Sequence, residues 1–320
     1  MSECFGGNFM SLSNKPKIAL GAWAWGMDGT FGDSYTVESL KPVYDEAMKN
    51  GLNLWDTAFV YGMGTSEKIL GELIKKTPRE NLILSTKFTP QCEDGTSEAM
   101  QNMLNGSKER LGTDTIDVYW IHNPFDVEKY TPMIAPLFKS GQIKQVGLSN
   151  HSLSEIKRAE EILAKEGVKV SAIQNHYSLL NRSSEKSGIL SYCKENEMDF
   201  YSYMVLEQGA LGGKYSEKNP FPEGSDRAKT YNPMMKEIDK LTFVMKEIAL
   251  KHGSTCAEIA TAWSICKGTL PIIGVTKVEQ VKACVNSVNL KLSADEIDFM
   301  EKTADSLNIS TIRYWEKEMK

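Results

Sequence analysis

Eight short apolar runs separated by amphipathic stretches constrain this chain more than any other feature. They are "IALGAW" (18–23), "LNLWDTA" (52–58), "LILSTKF" (82–88), "IDVYWIH" (116–122), "IKQVGLSN" (143–150), "VSAIQNHY" (170–177), "DFYSYMVL" (199–206) and "LPIIGV" (270–275). Most are hydrophobic at nearly every position, the pattern of strands buried on both faces of a parallel sheet. The segments between them have a helical period. "ESLKPVYDEAMKNG" spaces Leu40, Val43, Tyr44, Ala47 and Met48 at i, i+3, i+4, i+7 and i+8 and stops at Gly51. "SEKILGELIKKT", "SEAMQNMLNGSKERLG", "SLSEIKRAEEILAKEG", "SGILSYCKEN" and "EIDKLTFVMKEIALKHG" behave alike, and several close on Gly or Asn, which tolerate the left-handed helix cap. Strand and helix alternating eight times predict an α/β fold, a (β/α)8 TIM barrel in a single domain over 1–320. A doubly wound open sheet is the alternative, but no G-x-G-x-x-G follows an early strand. Residues 212–233, "GGKYSEKNPFPEGSDRAKTYNP", are rich in Gly, Pro and Ser and predict a long surface loop between strands seven and eight.

Composition narrows the partners. A net charge of -5 argues against nucleic acid or an anionic membrane. No apolar run reaches the roughly 20 residues of a membrane span, and "MSECFGGNFMSLSNK" lacks the charged start and apolar core of a secretory signal. The cysteines at 4, 92, 193, 256, 266 and 284 are dispersed, with no CxxC and no metal-ligand spacing. They read as reduced thiols packed as small hydrophobes in a cytoplasmic protein with no metal.

In such a barrel the active site forms at the C-terminal ends of the strands. Strand two ends in Asp56 with Tyr61 in the loop beyond; strand three ends near Lys87, strand four at His122, strand five at Ser149 and Asn150, strand six at Gln174 and Asn175. Taken singly, the Asp is a cap, the Lys a solvated strand end, the His a core residue and the Tyr a packing residue. Together on one rim they make a proton donor. A phenol, with a pKa near 10, needs its anion stabilised to donate near neutral pH. An ammonium beside it does that, and needs a carboxylate behind it to stay charged in a dry site. Asp56, Lys87 and Tyr61 fit that chain, with Lys87 lowering the pKa of Tyr61. His122 would orient a carbonyl oxygen toward the phenol.

With those residues assembled, the sequence resembles the aldo-keto reductase superfamily from about residue 17 to 300. "GLNLWDTAFVYGMGTSEKILGE", "LILSTKF", "IDVYWIHNP", "IKQVGLSNHS", "AIQNHYSLL" and "YMVLEQGALGGKY" are similar, in order, to the family's Asp/Tyr, Lys, His, Gly-x-Ser-Asn, Gln and Tyr-x-x-Leu-x-Gln-Gly segments. The resemblance implies a nicotinamide-dependent oxidoreductase, with NADPH the expected cofactor and NADH the alternative, acting on a small-molecule carbonyl substrate. Asp56, Tyr61, Lys87 and His122 would be its catalytic tetrad. Ser149, Asn150 and Gln174 would bond the nicotinamide carboxamide, and Tyr203 would stack on the ring. Gly21, Ala22 and Trp23 would lie beneath the cofactor; Leu206, Gln208 and Gly209 would meet the pyrophosphate, with Lys214 on the loop or the phosphates. The segment opening at Gly274 is similar to the region that grips the 2′-phosphate. Thr276 and Lys277 serve there, while Gln280 and Cys284 stand where many members have Arg and Asn. Trp23, Trp25, Met27, Val60 and Asn123 would line the substrate mouth, which the short tail "STIRYWEKEMK" would leave open.

The same residues could oxidise an alcohol or a diol. Two other readings compete: a cofactor-sensing subunit like the channel-associated β-subunits that share this fold, and an aldolase with Lys87 as its Schiff-base lysine.

Overall fold

The computed structural model describes residues 15–32 and 34–319; Cys4 and the rest of 1–14 lie outside them. Eight parallel strands close into a barrel in sequence order: β1 (Ala19–Gly21), β2 (Leu54–Asp56), β3 (Ile83–Phe88), β4 (Ile116–Ile121), β5 (Ile143–Ser149), β6 (Ala172–His176), β7 (Asp199–Tyr203) and β8 (Leu270–Gly274). The ring is sealed by β1 on β8, where Gly21 stands opposite Gly274.

The apolar residues fall into two shells. Ala19, Leu54, Ile83, Val118, Trp120, Ala172, Tyr201 and Leu270 fill the barrel interior. A larger shell, including Trp25, Trp55, Ile134, Leu163, Tyr177 and Trp263, lies between strands and helices. The strands are buried on both sides for this reason, and their sequence carries no alternation. Inside the barrel Trp120 meets Tyr201 edge-on at 5.1 Å. The indole fits because position 147 is glycine: a Cβ there would lie 2.2 Å from the Trp120 ring. Trp120 donates its indole N–H to Ser85 Oγ at 2.6 Å, and Ser85 donates to Asp56 Oδ1 at 2.7 Å. The interior thus hands a chain of hydrogen bonds up to the rim.

The stretch between β7 and β8 differs from the long loop expected. Only part of it is irregular. Asp226–Tyr231 is helical, Phe221 and Tyr231 are buried, and two helices follow, Met235–His252 and Cys256–Cys266. The second is absent from the sequence reading because eight of its eleven residues are buried, which leaves it no polar face to mark a period. Among the described residues, no helix is long and apolar enough to cross a membrane.

Candidate active site

β2 ends in Asp56 and the chain then turns tightly to bring Tyr61 over the rim. The turn runs against the 3-10 segment Trp23–Gly26 after β1, and two glycines permit the contact. Gly62 has φ of 64°, and a Cβ on it would lie 1.9 Å from the Gly26 carbonyl oxygen. Loop position and phenol placement therefore depend on the "YGMG" that follows Val60.

Lys87 is fully buried one strand along. Its Nζ donates to Asp56 Oδ2 at 2.6 Å and to the Thr57 carbonyl at 2.7 Å. The ammonium also faces the Tyr61 ring, with Nζ 4.9 Å from that ring's centroid. Asp56 is saturated: Oδ1 accepts from Ser85 and from Gln174 Nε2 at 3.2 Å. Burial works against the charge of Lys87, but Asp56 and then Tyr61 together outweigh it and hold the ammonium above its ordinary pKa. Tyr61 departs from expectation. Lys87 pulls its pKa down, yet burial pushes harder, so the net shift is upward. Lys87 limits the rise rather than producing a fall, and the phenol stays protonated through neutral pH. His122 moves the other way: burial and then the nearby Lys87 ammonium hold its pKa well below the usual value, so it is neutral. Its Nδ1 lies 2.9 Å from Thr89 Oγ1, a partner the sequence reading missed. His122 and Tyr61 stand edge to face at 6.1 Å.

The rim continues around β5, β6 and β7. Ser149 and Gln174 are buried, and Asn150 takes the left-handed conformation with φ of 63°. Asn150 donates to the His122 carbonyl at 3.0 Å and to Ser149 Oγ at 3.2 Å, and accepts from the Tyr203 hydroxyl at 2.5 Å. Ser149, Asn150, Gln174 and Tyr203 are thus gathered beside Asp56 and His122. Gly21 and Ala22 sit at the head of β1, Ala22 donating its N–H to the Asp56 carbonyl at 2.9 Å.

After β7 the backbone twists through positive φ at Met204, Glu207, Gln208 and Gly209, carrying Leu206, half-buried, into the turn. Two donors here are buried and unpaired, Gln208 Nε2 and Arg227 Nε. Arg313 Nη1 holds Gln208 Oε1 at 2.9 Å, and Arg227 lies over the rings of Phe31, Tyr215 and Phe221. Unpaired buried N–H groups between two guanidiniums suit a phosphate-bearing cofactor. Neither arginine was singled out from the sequence. Lys214 is exposed on the same loop. At the head of β8, Gly274 is exposed, and a Cβ on it would meet nothing closer than 4.0 Å, leaving open backbone for a ligand to approach. Thr276 and the exposed Lys277 follow. Gln280 Oε1 accepts from the N–H groups of Thr276 and Lys277 at 2.7 and 2.9 Å, capping the helix Val278–Asn289. Cys284 is buried behind it.

The substrate mouth also differs. Trp25 does not line it: the side chain is fully buried in the outer shell, donating to the Val275 carbonyl at 2.7 Å and packing on Trp55. Trp23 stacks on Tyr61 at 5.9 Å, with Phe31 and Trp315 edge-on to it at 5.3 and 6.3 Å. Met27 packs against the outer apolar shell with φ of 54°, and Val60 is half-buried in the Tyr61 loop. Asn123 exchanges both amide bonds with Gln91 at 3.1 and 2.7 Å. The tail does not leave the mouth open. Thr311, Arg313, Trp315 and Glu316 reach Glu207, Gln208, Trp23 and Tyr203.

The sequence pattern described as "Aldo/keto reductase family" matches residues 17–305. Pyridoxal reductase of Arabidopsis thaliana chloroplasts is 31% identical over 303 residues, covering 89% of this chain and 82% of the relative. The NADP(+) aldo-keto reductase yakc of Schizosaccharomyces pombe is 28% identical, covering 95% and 93%. Among solved structures, a thermostable aldo-keto reductase complexed with the inhibitor epalrestat superposes with a TM-score of 0.73 at 26% identity, covering 90% and 95%. Glycerol dehydrogenase of Gluconobacter oxydans shares the fold with a TM-score of 0.81 at 24% identity, covering 94% of each chain.

Proposed function

The chain belongs to the aldo/keto reductase family of oxidoreductases, and on that premise we propose that it is an NADPH-dependent reductase of aldehydes, ketones or sugars, with Tyr61 as the proton donor. One observation carries the reading: a buried ammonium paired with Asp56 on one side lies against the ring of a protonated phenol on the other, 4.9 Å from its centroid.

When bound, the nicotinamide cofactor supplies the hydride that reduces the carbonyl carbon. The residues here do the rest. The carbonyl oxygen sits between the Tyr61 hydroxyl and the His122 imidazole. With the Thr89 hydroxyl on Nδ1, neutral His122 can present an Nε2–H to that oxygen. As negative charge builds on the oxygen, the Tyr61 O–H bond breaks and its proton passes across, giving the alcohol. The phenolate left behind is met by the Lys87 ammonium, whose charge Asp56 fixes. Lys87 thus acts on the product of proton transfer, which is where stabilisation accelerates the step. A proton from water restores the phenol, and oxidation of an alcohol runs the same transfers backward.

For the cofactor we assign Ser149, Asn150 and Gln174 to the carboxamide, Tyr203 to the ring, Gly21, Ala22 and Trp23 to the floor, and Leu206, Gln208, Gly209, Arg227 and Arg313 to the diphosphate. Thr276 and Lys277 receive the 2′-phosphate. Trp23, Phe31 and Trp315 give the substrate an aromatic wall. The test is a panel of aldehydes, ketones and sugars, with pyridoxal included because of the Arabidopsis relative, assayed with NADPH and with NADH. Carbonyl-dependent NADPH consumption is expected for at least one class; borohydride trapping of substrate on Lys87 with no NADPH consumption would overturn the reading in favour of an aldolase.

A further inference from the structure

Beyond the Tyr61 corner, a second buried set of ionisable groups lies across the mouth and draws on separate parts of the chain. His176, the last residue of β6, places Nε2 2.8 Å from Glu207 Oε1 and Nδ1 3.1 Å from Glu316 Oε2. The side chains are 4%, 0% and 2% exposed, so water does not screen the group. Each ring nitrogen faces a carboxylate, and only the doubly protonated imidazolium can donate to both. Burial opposes that charge, but Glu207 and then Glu316 raise the His176 pKa to about 10. Glu207 completes its shell with the hydroxyls of Ser178, Thr311 and Tyr231.

Glu316 faces the other way as well. Its Oε1 accepts from the Tyr203 hydroxyl at 2.7 Å, while Oε2 also accepts the Arg313 N–H at 2.8 Å. The Tyr203 hydroxyl lies 2.5 Å from Asn150 Oδ1. One phenolic proton serves one acceptor at a time, so Glu316 and Asn150 share it. The tail is tied to the mouth by polar links throughout: Thr311 to Glu207, Arg313 to Gln208, Glu316 to His176, Lys317 to Glu155. A tail held only for packing needs none of them to end on Tyr203.

We propose that Glu316 is a positioning residue for the nicotinamide ring: anchored by His176, it fixes the Tyr203 phenol and, through the shared hydroxyl, the Asn150 amide. The C-terminal tail is then part of the cofactor-binding apparatus. This rests on the assignment of Tyr203 and Asn150 to the nicotinamide made above.

NADPH affinity, read by quenching of tryptophan fluorescence, tests it in the wild type, Glu316→Gln, Tyr203→Phe and the double variant. Glu316→Gln is expected to weaken NADPH about five- to tenfold, the net size of one ordinary hydrogen bond. In the Tyr203→Phe background the same change is expected to add less than about twofold, because the hydroxyl through which Glu316 acts is gone. Penalties that multiply fully in the double variant overturn the proposal, as does wild-type affinity in Glu316→Gln. Glu316→Asp keeps the charge beside His176 but falls a methylene short of Tyr203. It is expected to fold and to lose affinity, which covers the case in which the Gln variant does not fold. Tyr203→Ala separates the levels. Undiminished NADPH affinity there sinks the assignment of Tyr203 itself, whereas weakened affinity there alongside an intact Glu316→Gln sinks only the role of Glu316.

Discussion

Two buried ion groups stand across the barrel mouth from each other, and their contrast teaches more than either alone. At β2 and β3, Asp56 and Lys87 leave one thing undone: the ammonium bonds Asp56 and the Thr57 carbonyl and still faces the Tyr61 ring at the rim. At β6 and β7, the His176, Glu207 and Glu316 group turns most of its bonds inward, with both imidazole nitrogens used and Glu207 accepting from four donors. Only Glu316 Oε1 reaches out, to Tyr203. Both offset the cost of burying charge by pairing it. The first keeps a polar function directed at the mouth, which suits proton transfer; the second spends its bonds on joining strands, turn and tail, which suits positioning.

The largest break in that comparison is Lys87→Met. It leaves Asp56 buried with no cation, a loss of about 3 to 5 kcal/mol in stability, and removes the partner of the phenolate. Chemical denaturation and turnover should both fall sharply. A Met variant with wild-type stability would mean Asp56 is not relying on Lys87.

The second group breaks by pH. The folded pKa of His176 lies above its unfolded value, so its contribution is complete below about pH 6.5. That contribution is lost as pH rises toward the folded value of about 10. Glu316 is held below its ordinary range, so its own contribution fades as pH falls through that lowered value. The stability difference between wild type and His176→Gln should therefore be flat in mildly acidic solution and shrink from about pH 6.5 toward pH 10. A difference that grows with pH would reverse the sign of the charge assigned to His176.

These groups were unequally legible in the sequence. All eight strands could be read, because strands buried between two shells are apolar throughout. Asp56, Lys87 and His122 could be read because each closes such a run. Helix Cys256–Cys266 could not, since burial on nearly every side erases its period. Trp25 was placed at the mouth because it neighbours Trp23, but the 3-10 turn sends the two indoles to different shells. His176 stood in plain view in "QNHYS", yet its partners lie 31 and 140 positions away, and no local pattern announces a contact of that range. The upward shift of Tyr61 was out of reach for a related reason: how much water is excluded from the phenol depends on Trp23 stacking over it, with Phe31 and Trp315 packed on Trp23.

The smallest expected effect lies at the far end of the cofactor track. Lys277 is exposed and acts as a single point charge, so Lys277→Ala should weaken NADPH about fivefold and leave NADH unchanged. Equal loss for both cofactors would remove it as a 2′-phosphate partner and leave Thr276 and the open backbone at Gly274 to carry that end.

The claim on which everything else depends is that Tyr61 gives its proton to the carbonyl oxygen. Tyr61→Phe removes one oxygen atom and leaves the ring stacked on Trp23. With the best substrate from the panel, single-turnover reduction should slow by about a thousandfold, within the range of general-acid catalysis, while NADPH affinity stays within about twofold of wild type. Reduction at close to the wild-type rate would contradict the account.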